Sequence, residues 1–435
     1  MGRRIRMSGT PMAGTPMAGT PLAGTPMAGT PLAAAVLAGL LTVTACGPGA
    51  DDARTPAKTQ SAPKSPGKTA LTWDFEHIVT DFSGEISDVA ALAEDDIWAV
   101  ATDRRTLDDP VHLLHYDGEQ WKREPLPEAL GESSHPPKLE EIGDARIWLR
   151  PQGPPPSHLP PGEEPPHAGE GWAAWDGTAW TGVADPPPAG VDSLEAAAED
   201  DIWALSGEES ALHWDGARWN TYRLPYAAAD LTIAGPDDVW AVGRRSTGPG
   251  TELEYGTYGQ PAAMHWDGTS WKAVETPVVR FEEPLPPEAS ASLGQVFAMD
   301  DGEVRAYGTN TYNHGEVENE PPEGYIRWRW DGTKWADQPP APGQCELRTP
   351  VAQDDKGLFL DGNRYLTEAG DCVKIKRHRL PVDTGARENS NQSLWLEEIH
   401  RVPGTDEWLG AGHVQVNQSG DPFGAPVVVR LKRGG

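Results

Sequence analysis

The chain has 435 residues, a formal net charge of -30 and three Cys, alongside 48 Gly, 43 Pro and 18 Trp. So acidic a chain repels nucleic acid, and no nucleic-acid partner is expected. Three Cys are too few for a disulfide-held scaffold, and the tryptophan content asks for an explanation of its own.

The first 45 residues read as a leader. Arg3, Arg4 and Arg6 open it, Leu32 to Val43 is a short apolar run, and Val43, Thr44, Ala45 close it before Cys46. Basic start, short hydrophobic stretch and small residues make a secretory signal, and the run is too short to span a bilayer. Tandem copies of Gly-Thr-Pro-Met/Leu-Ala from Gly9 to Ala33 lie inside it and are read as a slipped coding repeat. The ending resembles the lipobox of bacterial lipoproteins, which implies that Cys46 carries a lipid anchor and that the protein sits on the cell membrane facing outside. Residues 46 to 68 follow, rich in Pro, Ala, Gly, Thr and Ser without an aromatic residue, a composition expected to give a flexible tether.

From residue 69 the chain is repetitive. Asp95, Asp96, Ile97, Trp98, Ala99, Val100 returns at Asp200 to Leu205 and at Asp237 to Val242. A second phrase, aromatic-Asp-Gly-x-x-Trp, closes at Trp121, Trp180, Trp219, Trp271 and Trp335. Intervals of roughly 40 to 65 residues are those of a supersecondary unit that stacks on its neighbours. Asp-Gly between apolar runs signals a hairpin, and Asp-Asp before Ile-Trp is a second turn. In the clearest unit, strands are predicted at Ser193 to Ala198, Ile202 to Ser206, Ala211 to Trp214 and Trp219 to Leu224.

Repeated four-stranded antiparallel sheets predict an all-β fold, a β-propeller with seven blades. The blades fall at 88–127, 138–184, 191–225, 228–276, 291–338, 346–381 and 394–432. The seventh shows three strands, so Leu71 to Ile78, which imitates an outer strand, is expected to supply its fourth and close the ring. The aromatic-Asp-x-x-x-Trp hairpin resembles the second half of a kelch repeat. With Val-Trp-Ala-Val-Gly before it, the pattern is similar to kelch-like propellers such as the central domain of galactose oxidase. The resemblance implies architecture and carries over no catalytic residue.

Cys345 and Cys372 remain as a possible disulfide. Against it, the strand map puts Cys345 in the loop entering blade six and Cys372 at the start of that blade's outer strand, beyond the roughly 7 Å a disulfide allows between Cα atoms.

The turns fall on two faces. One carries only tight turns, and the other holds the long insertions, including Pro151 to Gly171, Arg244 to Gln260 and Asn310 to Gly324. Elaborated loops on a rigid scaffold are where binding residues sit. Candidates there are Tyr255, Tyr258, Tyr312 and His314, aromatic groups among carboxylates that could stack on a sugar or grip a basic peptide. Aligning inner strands on the Asp-Asp turn gives Asp88, Lys138, Ser193, Asp230, Gln295, Thr349 and Glu398, a polar ring expected at the channel mouth. Within it Asp88, Asp230 and Glu398 are the candidate acid-base groups.

His115, His213 and His265 occupy equivalent positions and read as repeat structure. No metal or cofactor is expected, calcium at the Asp-rich turns being the one alternative, since turn geometry explains those carboxylates. Neither a nucleophile elbow nor zinc spacing occurs. The function expected is a monomeric, non-enzymatic binding module for an envelope protein, peptide or glycan. The alternative is a carbohydrate-active hydrolase or lyase with carboxylates at the channel mouth.

Overall fold

The structure, a computed structural model, describes residues 70–105, 110–131, 135–143, 146–152, 171–188, 190–246, 258–299, 302–312 and 324–434. The leader, the tether and Cys46 lie outside the described residues, as do Tyr255, His314 and most of the three long insertions. Among the described residues no helix is long and apolar enough to cross a membrane.

Seven sheets follow one another along the chain. Strand β1 (Ala70–Ile78) comes first. Blade one is β2 (Gly84–Ala93), β3 (Asp96–Asp103), β4 (Val111–Tyr116) and β5 (Trp121–Glu124). Blade two is β6 (Lys138–Ile142), β7 (Arg146–Arg150), β8 (Ala173–Trp175) and β9 (Trp180–Gly182). Blade three is β10 (Ser193–Ala198), β11 (Asp201–Leu205), β12 (Ser210–Trp214) and β13 (Trp219–Arg223), close to the strands predicted. Blade four is β14 (Ala227–Gly235), β15 (Asp238–Arg245), β16 (Gln260–Trp266) and β17 (Trp271–Val274). Blade five is β18 (Ser290–Ala298), β19 (Val304–Thr311), β20 (Tyr325–Trp330) and β21 (Trp335–Asp337). Blade six is β22 (Pro350–Asp354), β23 (Gly357–Leu360), β24 (Arg364–Thr367) and β25 (Cys372–Lys374). After β26 (Lys376–Arg377), blade seven is β27 (Asn391–Arg401), β28 (Trp408–Asn417) and β29 (Phe423–Gly434).

The expected closure is present. Strand β1 runs antiparallel to β29, from Ala70 opposite Gly434 to Ile78 opposite Val427, and so completes the seventh blade. A fifth strand was not expected: β26 pairs in parallel with β1 through Thr72 and Trp73. It covers an edge that would otherwise offer unpaired backbone groups.

Each phrase has a physical role. In the Asp-Gly turn the carboxylate folds back on its own backbone, Asp117 Oδ1 accepting from the amides of Glu119 and Gln120 at 3.1 and 2.9 Å. Asp176, Asp215, Asp267 and Asp331 do the same. These bonds, and in two turns a Lys above all, hold the carboxyls low: Lys272 and the turn amides bring Asp267 to about 2. The two aromatic residues flanking the turn meet across the hairpin, as with Trp175 and Trp180, whose ring centres are 5.8 Å apart.

The Asp-Asp phrase works between blades. Trp98 is 2% exposed and stacks on His115 at 4.0 Å. His115 Nε2 lies 2.9 Å from Asp96 Oδ1, and Trp175 of blade two donates to Asp96 Oδ2 at 2.9 Å. Trp203 with His213 and Trp240 with His265 repeat the stack, so these histidines are structural. The two tight turns of a blade also touch. A Cβ on Gly118, which has φ 86°, would stand 2.8 Å from Cβ of Asp95, and only glycine tolerates that approach. Both turns therefore share one face, and the longer connections emerge on the other.

Cys345 and Cys372 are bonded, with Cα atoms 5.8 Å apart. The expectation that they lie too far apart is corrected, although both strand placements hold. Cys345 ends a single 3-10 turn, Gly343–Cys345, which folds down against the outer strands of blade six instead of staying beyond the strand ends. Cys345 is thereby part of the apolar core of blades six and seven.

Candidate functional site

Most of the polar ring exists, and Asp88, Lys138, Ser193, Asp230 and Gln295 use their side chains to fasten blades together. Thr349, by contrast, is exposed just ahead of β22 and pairs with Asp361 of its own blade. A β-bulge immediately precedes four of the ring's members, with Ser87 before Asp88, Ala229 before Asp230, Gly294 before Gln295 and Glu397 before Glu398. An extra residue re-aims the next side chain. Asp88 and Glu398 are consequently 1% exposed, and Gln295 8%. Buried polar groups require partners, and the adjacent blade supplies them. Asp88 Oδ2 accepts from the amide of Leu139 in blade two at 2.7 Å, while its Oδ1 accepts from Val89. Asp230 accepts from Val296 of blade five at 2.9 Å and from Ser193 of blade three at 3.4 Å. Gln295 donates to the carbonyl of Pro350 in blade six at 2.8 Å.

Asp88, Asp230 and Glu398 therefore do not form one acid-base centre. They belong to blades one, four and seven, and the first two are engaged by backbone amides of different neighbours. Tyr312 is also corrected: it is 6% exposed at the end of β19, so its ring is packed and offers no platform. Tyr258 is half-buried, its amide donating to the carbonyl of Ala289 at 2.8 Å.

A different group of residues comes together at the seam where the ring closes. Glu85 stands near the start of β2, Glu397 is the bulged residue of β27, and His413 is on β28. One donor atom from each lies within 4.8 Å of the others. Strand register explains the meeting. Leu409 and Ala411 alternate with His413 along β28 and pack into the core of blade one, so His413 faces the same way. Trp395 is the direct partner of His413 in the pairing of β27 with β28 and shares that face.

The surroundings are polar and of mixed sign. Arg104 Nη2 donates to Glu85 Oε1 at 2.5 Å. Lys138 Nζ donates to the carbonyl of Ser87 at 3.2 Å and lies 3.9 Å from Asp88 Oδ2. Burial, then the charge of Glu85, pushes the Glu397 carboxyl above its ordinary range against the pull of Lys138 and Arg104. Burial pushes the His413 imidazole down, with Glu85 opposing and Arg104 assisting. Beside this group the indole of Trp395 is 54% exposed, and among the described residues it is the one Trp in the exposed range.

Lys138 and Asp88 were reached from the sequence as ring members, whereas Glu85, Arg104, Trp395, Glu397 and His413 were not. Two signals were available: Trp395 belongs to neither repeated phrase, and it occupies in blade seven the position that Glu85 holds in blade one, three residues before the ring member.

Fold and site together define a seven-bladed β-propeller, closed by its N-terminal strand, with a polar and aromatic mouth at the closing seam. Neither family models nor curated proteins match the chain. Among solved structures it is similar to YCF48 bound to D1 peptide, at 13% identity and a TM-score of 0.42 over 84% of this chain and 98% of that one. It is similar to an ulvan lyase of a polysaccharide lyase family, at 10% identity and a TM-score of 0.38 over 81% and 95%. A third is the β-propeller domain of the trilobed protease from Pyrococcus furiosus, at 10% identity and a TM-score of 0.39 over 79% and 97%. Likeness at this level speaks to architecture alone.

Proposed function

We propose that the protein is a kelch-like, lipid-anchored propeller that binds a glycan of the cell envelope on its loop-bearing face. The observation carrying this reading is Trp395, whose exposed indole stands opposite His413 in the strand pairing, next to a cluster that holds Glu85 and its partner Arg104. Sugars present apolar ring faces and hydroxyls that both donate and accept, and an indole flanked by carboxylates and by Arg104 matches both needs. A basic peptide fits less well, because Arg104 and Lys138 already bring positive charge to the mouth. Membrane attachment through Cys46 rests on the lipobox-like ending Val43, Thr44, Ala45, Cys46.

Titration of the full chain with envelope polysaccharide fragments tests the reading. Wild type is expected to give saturable binding that Trp395→Ala weakens at least tenfold. Binding unchanged in that variant overturns the choice of site, and binding to basic peptides alone overturns the choice of ligand.

A second reading, a hydrolase or lyase, is supported by one specific observation. The Glu397 carboxyl, raised by burial and by Glu85, lies close to the His413 imidazole, lowered by burial, and a carboxyl beside an imidazole is a pairing that acid-base chemistry uses. Appearance of new reducing ends or of an unsaturated uronic ring in the same titrations, abolished by Glu397→Gln, would replace binding with catalysis.

A further inference from the structure

We propose that Glu85, Glu397 and His413 form a site for one divalent transition-metal ion, of which Zn²⁺ is the expected occupant, held across the seam between the first and last blades. The inference concerns the ion alone and does not depend on the glycan reading.

The donor set and its spacing carry the argument. Nδ1 of His413 is buried and has no hydrogen-bond partner, although its ring is packed in a polar corner. Its nearest charged neighbour is Glu85 Oε2 at 3.8 Å, too long for a hydrogen bond. Two donors each about 2.1 Å from one tetrahedral ion stand about 3.4 Å apart, so small side-chain adjustments bring this pair onto a shared ion. Glu397 supplies the third donor, within 4.8 Å of both. Three protein donors and a fourth position open to solvent is the form of a zinc site that exchanges ligands.

The surroundings favour such an ion over others. An imidazole with carboxylates suits Zn²⁺ and its neighbours in the first transition row, whereas Ca²⁺ and Mg²⁺ prefer oxygen alone. Arg104 holds Glu85 by Oε1 and leaves Oε2 toward His413, the kind of outer contact that orients a ligating carboxylate. The ion would also neutralise two carboxylates that raise each other's cost at the mouth. The carboxylates of the Asp-Gly turns offer no comparable site, because their own turn amides already occupy them.

The test uses untagged full-length protein stripped with chelator. Calorimetric titration with Zn²⁺ is expected to give one site of micromolar affinity or tighter, and Co²⁺ the visible absorption of a tetrahedral or five-coordinate ion. His413→Ala and Glu397→Gln should each weaken Zn²⁺ at least tenfold while melting, metal-free, within a few degrees of wild type. Trp395→Ala should bind the ion as wild type does, which separates this result from the fate of the glycan reading. Absence of stoichiometric binding overturns the proposal, and so does affinity unchanged in His413→Ala.

Discussion

Trp203 and Trp395 are the same side chain doing opposite things. Trp203 is fully buried, stacked on His213 at 4.1 Å, with Trp266 and Trp271 of the next blade packed against it. Trp395 lies on an inner strand with half its surface in water. The first belongs to a phrase that recurs, and the second to none. Repetition in this chain marks what blades need from one another, and function is to be sought where a residue type appears out of its phrase.

The comparison can be broken by mutation, most sharply at its buried end. Trp203→Ala should cost about 3 to 5 kcal/mol and lower the denaturation midpoint accordingly, as truncation of a packed aromatic residue does. Trp395→Ala should leave that midpoint within the range of ordinary surface changes, about 0.5 kcal/mol. Equal losses in the two variants would show that Trp395 is a packing residue after all.

The disulfide comes next. It bridges residues 27 apart in sequence, and chain entropy puts the stabilisation from such a loop at about 3.5 kcal/mol. Urea melts of the Cys345→Ser, Cys372→Ser double variant should show that loss, with the damage starting in blade six. Asp88→Ala should follow at about 2 kcal/mol, because it strips buried amides at Val89 and Leu139 of their acceptor. If Asp88 is instead open to the channel, the same change will be nearly silent.

Glu397 gives the smallest effect and the opposite sign. Its carboxyl titrates higher in the fold than in the unfolded chain, so ionisation works against folding. That penalty is full above the folded pKa and fades as pH falls through it toward the unfolded value near 4. Glu397→Gln should therefore melt slightly above wild type at neutral pH, with the gain shrinking in melts at about pH 4. A loss at neutral pH would mean that Glu397 has a stabilising partner the structure does not reveal.

The blade count and the closing strand were legible in the sequence because turn chemistry is local. Asp-Gly and Asp-Asp mark their turns whatever surrounds them, and Leu71 to Ile78 repeats the outer-strand pattern. The polar ring was legible as an alignment but not as an orientation. A bulge adds one residue on one strand, and it shows only once the partner's register is known, as at Ser87 and Glu397. The seam site was hidden for a related reason. Glu85 and His413 are more than three hundred residues apart, and only ring closure brings them together. The disulfide was not legible because the Gly343–Cys345 turn leaves the line of the strands and packs Cys345 into the core beside the outer strands of blade six.

The strand that closes the ring also decides how the molecule answers a pull. Chain ahead of Ala70 joins the fold through β1, which lies antiparallel to β29 along its whole length and beside β26 on its other edge. Tension on that chain is directed along the strand, so its backbone bonds on both sides are loaded together in shear and none can be opened singly. A pulling experiment from the N-terminus against a point elsewhere in the fold should thus meet far more resistance than one that draws Ala70 and Gly434 apart, which unzips the same pair from its end.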